Sequence, residues 1–238
     1  MPSDLDQFFR LVRDASAKIY TDSVCQRSTT GGYNLVRAQI QVEKDVVLSK
    51  FIITDDNQVS RCWWCGSDPL YVKYHDKEWG VPQRNDRKLF EKICLEGFQS
   101  GLSWITILRK RENFRLAFAK FEIQKVSQFG DKDVNRLLQD AGIIRHRGKI
   151  EATINNAQRA LEMKKEHKTL ANFFWQYQPS SNPKFDAKRA ISKESTAMSK
   201  ELKRLGWKFV GPTTCYSFMQ AMGLVNDHHP KCHRHQQV

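Results

Sequence analysis

The spacing of hydrophobic positions changes near residue 60 of this chain. Residues 1–60 contain two runs rich in β-branched residues, near 35–42 and 46–54, and the polar sequence DDNQ follows at 55–58. Because such runs favour strands and polar clusters favour turns, this part is predicted to form a small hairpin or a weakly structured segment. From Arg61 onward, apolar residues recur three and four positions apart, which is typical of amphipathic helices.

Start signals divide the second part of the chain into helices. Asp86 and Ser103 each precede an apolar run at helical spacing and are predicted to cap helix N-termini. Residues 178–191 are polar and predict a loop. The chain is therefore predicted to be all-α, with residues 1–60 as an N-terminal extension of unknown role and residues 61–238 as a helical domain.

The last two predicted helices form a closely connected pair. A helix over residues 196–205 is stopped by Gly206, residues 209–211 form a tight connection, and Pro212 suits the first turn of the next helix. Backbone N–H groups at such a connection, beside a helix N-terminus, can hold a DNA phosphate without reading sequence. The same pattern also fits an ordinary αα-hairpin, so spacing alone does not decide between the two.

Basic charge is concentrated in the helical part. Residues 1–60 hold seven Lys and Arg against eight Asp and Glu, whereas residues 61–238 hold 32 against 18. The sequence pI of about 9.5 favours a polyanionic partner, of which nucleic acid is the commonest. A basic protein without such a partner fits the same numbers.

The sequence predicts no membrane span and no export. No run approaches 18 consecutive apolar residues, and the N-terminal sequence MPSDLDQFF lacks the basic and apolar regions of a secretory signal. We therefore expect a cytoplasmic protein, associated with the nucleoid in a bacterium, or a nuclear one in a eukaryote. The six cysteines then fit buried thiols or metal ligands better than a disulfide framework.

Cysteine and histidine residues near the two ends of the helical part form a candidate metal site. The four residues are Cys62, His75, His228 and Cys232. Both residue types bind tetrahedral zinc, but twelve residues separate Cys62 from His75, so the chain must fold to bring the two together. Other residues compete for the same roles: Cys65, His229, His233 and His235. If the four converge, the metal is structural, because four protein ligands leave no open position for water.

Aromatic residues cluster in a stretch that is otherwise polar. Six of them fall within about forty positions: Trp63, Trp64, Tyr71, Tyr74, Trp79 and Trp104. Aromatic rings most often fill a core, and that reading stays open here. Because most of these rings lie among polar residues, they could instead line a pocket that stacks an extruded base or faces a cation.

Glu96 is predicted to point inward. Leu89, Ile93 and Glu96 are spaced i, i+4 and i+7, which places all three on one face of a helix. A buried carboxylate is unfavourable unless it is paired or hydrogen-bonded. Inward carboxylates in clefts are candidate site residues, although a solvated face is the commoner position of a helical glutamate.

From about Arg61 to Cys232 the chain closely resembles the 3-methyladenine DNA glycosylase I family. The resemblance rests on five segments in the same order: RCWW, DPLYVKYHDKEWGVP, KLFEKICLEGFQSGLSWITILRKRENF, LLQDAGIIRHRGKIEATINNA and GWKFVGPTTCYSFMQAMGLVNDH. It implies an all-α helix–hairpin–helix DNA glycosylase fold with one structural zinc ion joining the domain's N- and C-terminal ends. Residues 1–60 lie outside it.

The resemblance implies a function in base excision repair. A monomer would hydrolyse the N-glycosidic bond of 3-methyladenine in alkylated double-stranded DNA and leave an abasic site. We expect no lyase activity, on the ground that the matched pocket motif contains no lysine to act as a Schiff-base nucleophile. Two alternatives stay open: a zinc-stabilised DNA-binding module without catalysis, and a glycosylase for a different lesion.

The resemblance also assigns residues. The implied zinc ligands are Cys62, His75, His228 and Cys232. The implied base pocket consists of the catalytic Glu96 with Tyr74 and Trp104, and with Tyr71, Trp64 and Trp79 nearby. The implied DNA contacts are Leu102, which fills the gap left by the extruded base, and the phosphate-gripping Phe209, Val210 and Gly211.

Two further positions bear on the resemblance. Asp227 stands roughly where relatives in the wider superfamily carry a catalytic aspartate. Pro212 and Thr213 replace the family's usual Thr-Thr after the hairpin glycine. Because proline has no N–H, one phosphate contact is expected to be lost there.

Overall fold

Helices make up most of the computed structural model, which describes residues 49–238. Its two strands are β1 (Ile52–Thr54) and β2 (Ser60–Cys62). Its helices are α1 (Pro69–Lys77), α2 (Asp86–Gln99), α3 (Trp104–Ala117), α4 (Ile123–Val126), α5 (Asp131–Gln139), α6 (Arg147–His167), α7 (Leu170–Phe174), α8 (Lys193–Arg204) and α9 (Pro212–Ala221). The prediction of a mainly helical domain is confirmed. None of the helices within residues 49–238 combines the length and apolar character that a bilayer span requires.

The strands form a small antiparallel hairpin. Ile52 of β1 lies opposite Cys62 of β2, and the predicted turn at 55–58 joins the strands. The Asp55 carboxylate stabilises this turn by accepting hydrogen bonds from the N–H groups of Asn57 and Val59. The other predicted run, near 35–42, lies outside the described residues. The hairpin delivers Cys62 to the interior.

Helix α2 lies at the centre of the helical part. It contacts α3, α6, α7 and α9, and every residue from 89 to 98 is buried. The sequence predicts that one face of this helix is buried, but neighbouring elements surround the helix and bury its other faces as well. The polar residues of α2 must then pair in the interior. Glu91 pairs with Arg115 of α3, and Lys92 pairs with Glu96 one turn along the same helix.

The predicted cap at Asp86 is wrong by one residue. Asn85 is the N-cap of α2, and its side chain accepts a hydrogen bond from the N–H three residues on. The Asp86 carboxylate turns instead to the N-terminus of α7, where it accepts from the N–H of Leu170 at 2.9 Å. Ser103 does occupy the N-cap position of α3, but its side chain makes no capping hydrogen bond.

Helices α8 and α9 form the predicted pair. Helix α8 begins at residue 193, earlier than predicted, because Ser192 forms a capping box with the residue three positions on. Gly206, with φ of +80°, follows the helix, and Pro212 opens α9 as predicted. Asn156 of α6 holds the connection by accepting from the N–H of Lys208 and donating to its carbonyl. The connection is therefore fixed at a defined position.

Candidate active site and metal-ligand cluster

One cavity of about 180 Å³ contains the predicted base pocket. Its walls include all six residues expected there: Trp64, Tyr71, Tyr74, Trp79, Glu96 and Trp104. The structure therefore brings together side chains that are up to forty positions apart in the sequence. It also adds residues that the sequence did not single out, among them Lys92, Arg189 and Gln220.

The aromatic residues in the cavity wall pack against each other at tilted or edge-on angles. Tyr71 and Tyr74 lie three residues apart on α1, so both reach the same side of that helix. The Trp64 ring contacts the Tyr71 ring at 5.1 Å and the Trp79 ring at 4.9 Å between centroids. The Trp104 ring lies 5.4 Å from that of Tyr74, and its buried indole N–H has no acceptor within residues 49–238. The indole N–H of Trp104 is thus available to donate a hydrogen bond to a ligand.

Glu96 is buried and ion-paired. Its Oε1 lies 2.7 Å from Nζ of Lys92, and the two side chains are only 5% and 7% exposed. The same Nζ donates to the Tyr74 hydroxyl at 2.8 Å and lies 3.2 Å from the centre of the Trp104 ring. The inward direction predicted for Glu96 is confirmed. The i, i+4 spacing of the lysine and the glutamate was the signal that could have revealed the pair.

The sequence predicts no lysine nucleophile in the pocket motif, but the structure does place a lysine in the cavity wall. Lys92 belongs to the segment KLFEKICLEGF and lines the cavity beside Glu96. Burial lowers the pKa of Lys92, while the neighbouring carboxylate opposes that shift. Burial and the Glu96 charge raise the pKa of Tyr74 well above its ordinary value, and burial raises that of Tyr71 to about 12. Both tyrosines are therefore neutral hydrogen-bonding groups at neutral pH.

A second carboxylate borders the same cavity. Asp227 is buried and accepts hydrogen bonds from the Tyr216 hydroxyl at 2.5 Å and from Gln220 Nε2 at 2.9 Å. The Arg189 guanidinium lies 3.5 Å from its other oxygen. Arg189 comes from the loop over residues 178–191, whose aperiodic sequence carries no signal that it would line a site. The loop thus supplies a cation to a wall that the helices alone do not complete.

The four predicted metal ligands converge. Their ligand atoms all lie within 4.8 Å of one another, and all four residues are buried: Cys62, His75, His228 and Cys232. Nδ1 of His228 is 3.6 Å from Sγ of Cys62 and 3.5 Å from Sγ of Cys232. Nε2 of His75 is also 3.5 Å from Sγ of Cys232. This cluster could hold a metal ion, and it joins β2 and α1 to the C-terminal segment.

Neighbouring groups orient both imidazoles toward the cluster. Nδ1 of His75 lies 2.7 Å from the Asp76 carboxylate, which Arg61 in turn holds at 3.0 Å. Nε2 of His228 lies 3.2 Å from the carbonyl oxygen of Trp79. Since both partners are acceptors, these ring nitrogens carry the protons and the other nitrogens present lone pairs to the cluster.

Backbone N–H groups point at both sulfur atoms of the cluster. The N–H of His229 donates to Sγ of Cys62 at 3.3 Å, and the N–H of Arg234 donates to Sγ of Cys232 at 3.5 Å. A hydrogen bond shared with Cys62 lowers the pKa of Cys232, and the same contact raises the pKa of Cys62. Burial lowers the pKa of His228. A thiolate and a neutral imidazole are the forms that bind metal.

The competing cysteine and histidines make other contacts. The Cys65 thiol donates to the carbonyl of Cys62 at 3.2 Å. Ring nitrogens of His233 and His235 lie 3.0 and 2.9 Å from backbone carbonyl oxygens, those of Ser60 and His228. Within residues 49–238, the cluster described above is the group whose geometry suits a metal.

The predicted DNA contacts lie in two turns. Leu102 is 41% exposed in the turn between α2 and α3, which Lys149 anchors by donating to the Ser100 carbonyl at 2.6 Å. In the connection between α8 and α9, Phe209 is 39% exposed, but the Val210 side chain is buried. Val210 could therefore contact DNA only through its backbone. No acceptor among the described residues binds the N–H groups of positions 209–211.

Known proteins resemble most of this chain. Residues 64–235 match a family model described as methyladenine glycosylase. The chain is 52% identical over 180 residues to DNA-3-methyladenine glycosylase 1 of Escherichia coli (strain K12), covering 73% of this chain and 96% of that protein. It is 47% identical over 178 residues to DNA-3-methyladenine glycosylase of Haemophilus influenzae, with the same coverage. A crystal structure of a 3-methyladenine DNA glycosylase I variant in complex with 3-methyladenine matches with a TM-score of 0.69 at 36% identity, covering 73% of this chain and 96% of that one.

Proposed function

The chain belongs to the methyladenine glycosylase family and is a DNA glycosylase that acts on 3-methyladenine, and we propose that the cavity around Glu96 performs this reaction by hydrolysis. The proposal rests on one observation: the buried carboxylate of Glu96 lines a cavity with aromatic walls. A non-specific phosphate binder has no use for a buried anion. The reaction would cleave the N-glycosidic bond in alkylated double-stranded DNA, as the first step of base excision repair.

The walls suit a flat, electron-poor base. Adenine methylated at N3 within DNA carries a positive charge, which weakens its glycosidic bond and makes a strong general acid unnecessary. Rings such as those of Tyr74 and Trp104 attract a cationic base through their electron-rich faces. The free indole N–H of Trp104 adds a donor for an acceptor atom of the base. The cationic 3-methyladenine is thus expected both to bind well in this pocket and to have a weakened glycosidic bond.

Glu96 is proposed as the catalytic residue. Its carboxylate would accept hydrogen bonds from the adenine edge and favour positive charge on the base and sugar as the bond breaks. An unmodified, uncharged base would gain less from this anion and would fit the walls less well.

Asp227, on another wall of the cavity, is proposed to stabilise the positive charge of the oxocarbenium-like sugar. Asp227→Asn should then slow base release without weakening base binding.

Strand cleavage is not expected, even though Lys92 lines the cavity. A lysine attacks a sugar carbon only as a free amine. Nζ of Lys92 is held by Glu96 and Tyr74, and the Glu96 carboxylate favours the ammonium against the effect of burial. We therefore propose water as the nucleophile and an intact abasic strand as the product.

Base release tests the proposed function directly. The full chain and a chain that starts at residue 49 are both expected to release 3-methyladenine from methylated duplex DNA and to leave the strand uncut. The truncated chain should suffice because matching relatives are covered almost completely by 73% of this chain. Chromatography measures the base and a denaturing gel measures the strand. Equal affinity for intact and methylated DNA without release would favour a DNA-binding module instead, and release of other bases alone would indicate a different lesion.

The connection between α8 and α9 is proposed to grip phosphate as a helix–hairpin–helix motif does. Gly211 has φ of −63° and ψ of 163°, which alanine also adopts, and an added Cβ would meet no atom within 4 Å. Gly211→Ala should leave the melting temperature unchanged. It should weaken duplex binding about fivefold, which corresponds to the free energy of about one hydrogen bond. Fluorescence anisotropy measures the binding.

Gly130→Ala is the matched control for this experiment. Gly130 is also an N-cap glycine with open space around its Cα, at the start of α5. Equal affinities of the two variants would contradict the proposed grip. In the base-release assay, Leu102→Ala should slow release from duplex DNA but not from a single strand, because only a duplex has a gap to fill.

The metal cluster is proposed to bind one structural zinc ion. Tetrahedral zinc with Zn–S of about 2.3 Å and Zn–N of about 2.0 Å separates sulfur and nitrogen ligands by roughly 3.5 Å. Three of the four sulfur–nitrogen distances in the cluster are 3.5 to 3.6 Å. Four protein ligands leave no open position, so zinc would supply stability and no chemistry. It would fasten the C-terminal segment to the start of the domain.

The oligomeric state and cellular location stay predictions. We propose that the protein acts as a monomer, and sedimentation velocity measures its oligomeric state. We also propose that it is found in the cytoplasm, or in the nucleus of a eukaryote. Fluorescence microscopy of a tagged chain tests this location. A dimer at nanomolar concentration would contradict the first proposal.

A further inference from the structure

The Lys92 ammonium occupies a site suited to a cation. It contacts a carboxylate oxygen of Glu96 at 2.7 Å, the hydroxyl of Tyr74 at 2.8 Å and the face of the Trp104 ring at 3.2 Å from its centre. A carboxylate, a hydroxyl and an indole face are the groups that bind organic cations in proteins. These are also three of the groups that the proposed function assigns to the base.

We propose that Lys92 is a specificity-determining residue, whose ammonium competes with a cationic base for the Glu96 carboxylate and the Trp104 ring. This inference rests on the proposed function. Two positive charges within a few ångströms of one another repel strongly in a partly dry cavity. A cationic base therefore binds only when it displaces the ammonium or tolerates its repulsion, whereas an uncharged base meets no such opposition.

The structure provides room for the displaced side chain. A second cavity of about 370 Å³ adjoins the first and shares Tyr74, Lys92 and Trp104 with it. Its walls include Glu78 and Glu91, each already paired with an arginine of α3. The flexible lysine stem can turn into this cavity without leaving α2. Lys92 thereby sets how strongly the pocket prefers a charged base over an uncharged one.

A pair of probes isolates this charge preference. One probe is 3,9-dimethyladeninium, which carries a methyl group where the sugar would be attached. The other is the free base 3-methyladenine, and both are titrated at the same mildly alkaline pH, at which the first is cationic and the second is uncharged. Calorimetric titration of the full chain gives the affinity for each, and the ratio of the two affinities is the quantity compared. A loss of pocket shape weakens both probes together and leaves the ratio nearly unchanged.

Lys92→Met is expected to raise the ratio in favour of the cation about tenfold or more. Lys92→Gln keeps a hydrogen-bond donor for Glu96 and Tyr74 and should shift the ratio in the same direction, so the test does not depend on the folding of one variant. Lys125→Met is the matched control, because Lys125 also pairs with a glutamate, the N-cap residue Glu122, but lies on the surface. It should leave the ratio at the wild-type value.

The outcomes separate the two proposals. An unchanged or lowered ratio in folded Lys92 variants, with a wild type that releases 3-methyladenine, would overturn the role of Lys92 alone. A wild type that binds neither probe and releases no base would overturn the proposed function. A ratio that rises in the Lys92 variants and stays constant in the control supports the inference.

Discussion

Replacing Glu96 by glutamine is expected to reduce release of 3-methyladenine from methylated duplex DNA by about 100-fold, which is the usual effect of removing one electrostatic group from an active site. Glutamine keeps the size and an acceptor oxygen but loses the charge that opposes the positive base and sugar. Single-turnover kinetics with excess protein isolates bond cleavage from DNA binding. Binding of methylated duplex should change much less than the rate.

The substitution also disturbs a buried ion pair. Lys92 would keep an acceptor in the glutamine amide but lose the carboxylate, so the free energy of unfolding is expected to fall by about 1–3 kcal/mol. The double variant Glu96→Gln/Lys92→Met removes both charges. It should recover much of the stability but none of the activity. Recovery of activity would show that Glu96 matters only as the partner of Lys92.

Glu91→Gln is the matched control. Glu91 lies on the same helix, is buried and pairs with Arg115 at 2.6 Å, but it does not line the cavity around Glu96. It should destabilise the protein to a similar extent and leave the release rate within a few-fold of wild type. Unchanged release by a folded Glu96→Gln variant would exclude the catalytic assignment.

Loss of a metal ligand is expected to have the largest effect on stability. Cys232→Ser should lower the melting temperature by roughly 10 °C or more, since structural zinc contributes several kcal/mol to folding and each kcal/mol corresponds to about 2–4 °C in a chain of this size. The ligands join β2 and α1 to the last residues, so the C-terminal segment should loosen first. Hydrogen exchange of residues 226–238 reports that local change.

Cys65→Ser is the control for the metal prediction. Cys65 is as buried as Cys232, and its thiol donates to a backbone carbonyl, a role that serine can take over. This variant should retain one zinc ion per chain by native mass spectrometry and a melting temperature close to wild type. A chelated, metal-free protein that melts at the wild-type temperature would rule out a structural metal.

Local patterns in the sequence were sufficient for several features of the site. The i, i+4, i+7 spacing placed Glu96 inward because a helix has a fixed period, and the central position of α2 makes it buried. Ligand chemistry identified the cysteine and histidine types that suit zinc, although spacing could not choose between Cys62 and Cys65. Helix stop signals located the connection between α8 and α9 because glycine and proline act through their own backbone geometry.

Other features depended on contacts between distant segments. The sequence predicts Asp86 as the N-cap of its own helix. Its carboxylate instead accepts a hydrogen bond at the start of α7, more than eighty residues away. The loop over residues 178–191 gave no periodic signal, and only its folded path brings Arg189 to Asp227. Lys92 was visible in the sequence, but whether a lysine at i, i+4 from a glutamate is solvated or buried depends on what packs against the helix.

The sequence by itself determined the helical character of residues 61–238, the location of the basic charge, and the types of residue available for a base pocket and a metal site. These follow from composition and from periods of a few residues. Residue spacing left open which cysteine joins His75, His228 and Cys232; the family resemblance implied Cys62, and the tertiary structure brings Cys62 to them. Only the tertiary structure decided that the inward carboxylate pairs with an ammonium that lies against an aromatic face. Such distances arise from the packing of helices that are far apart along the chain, and no local period encodes them.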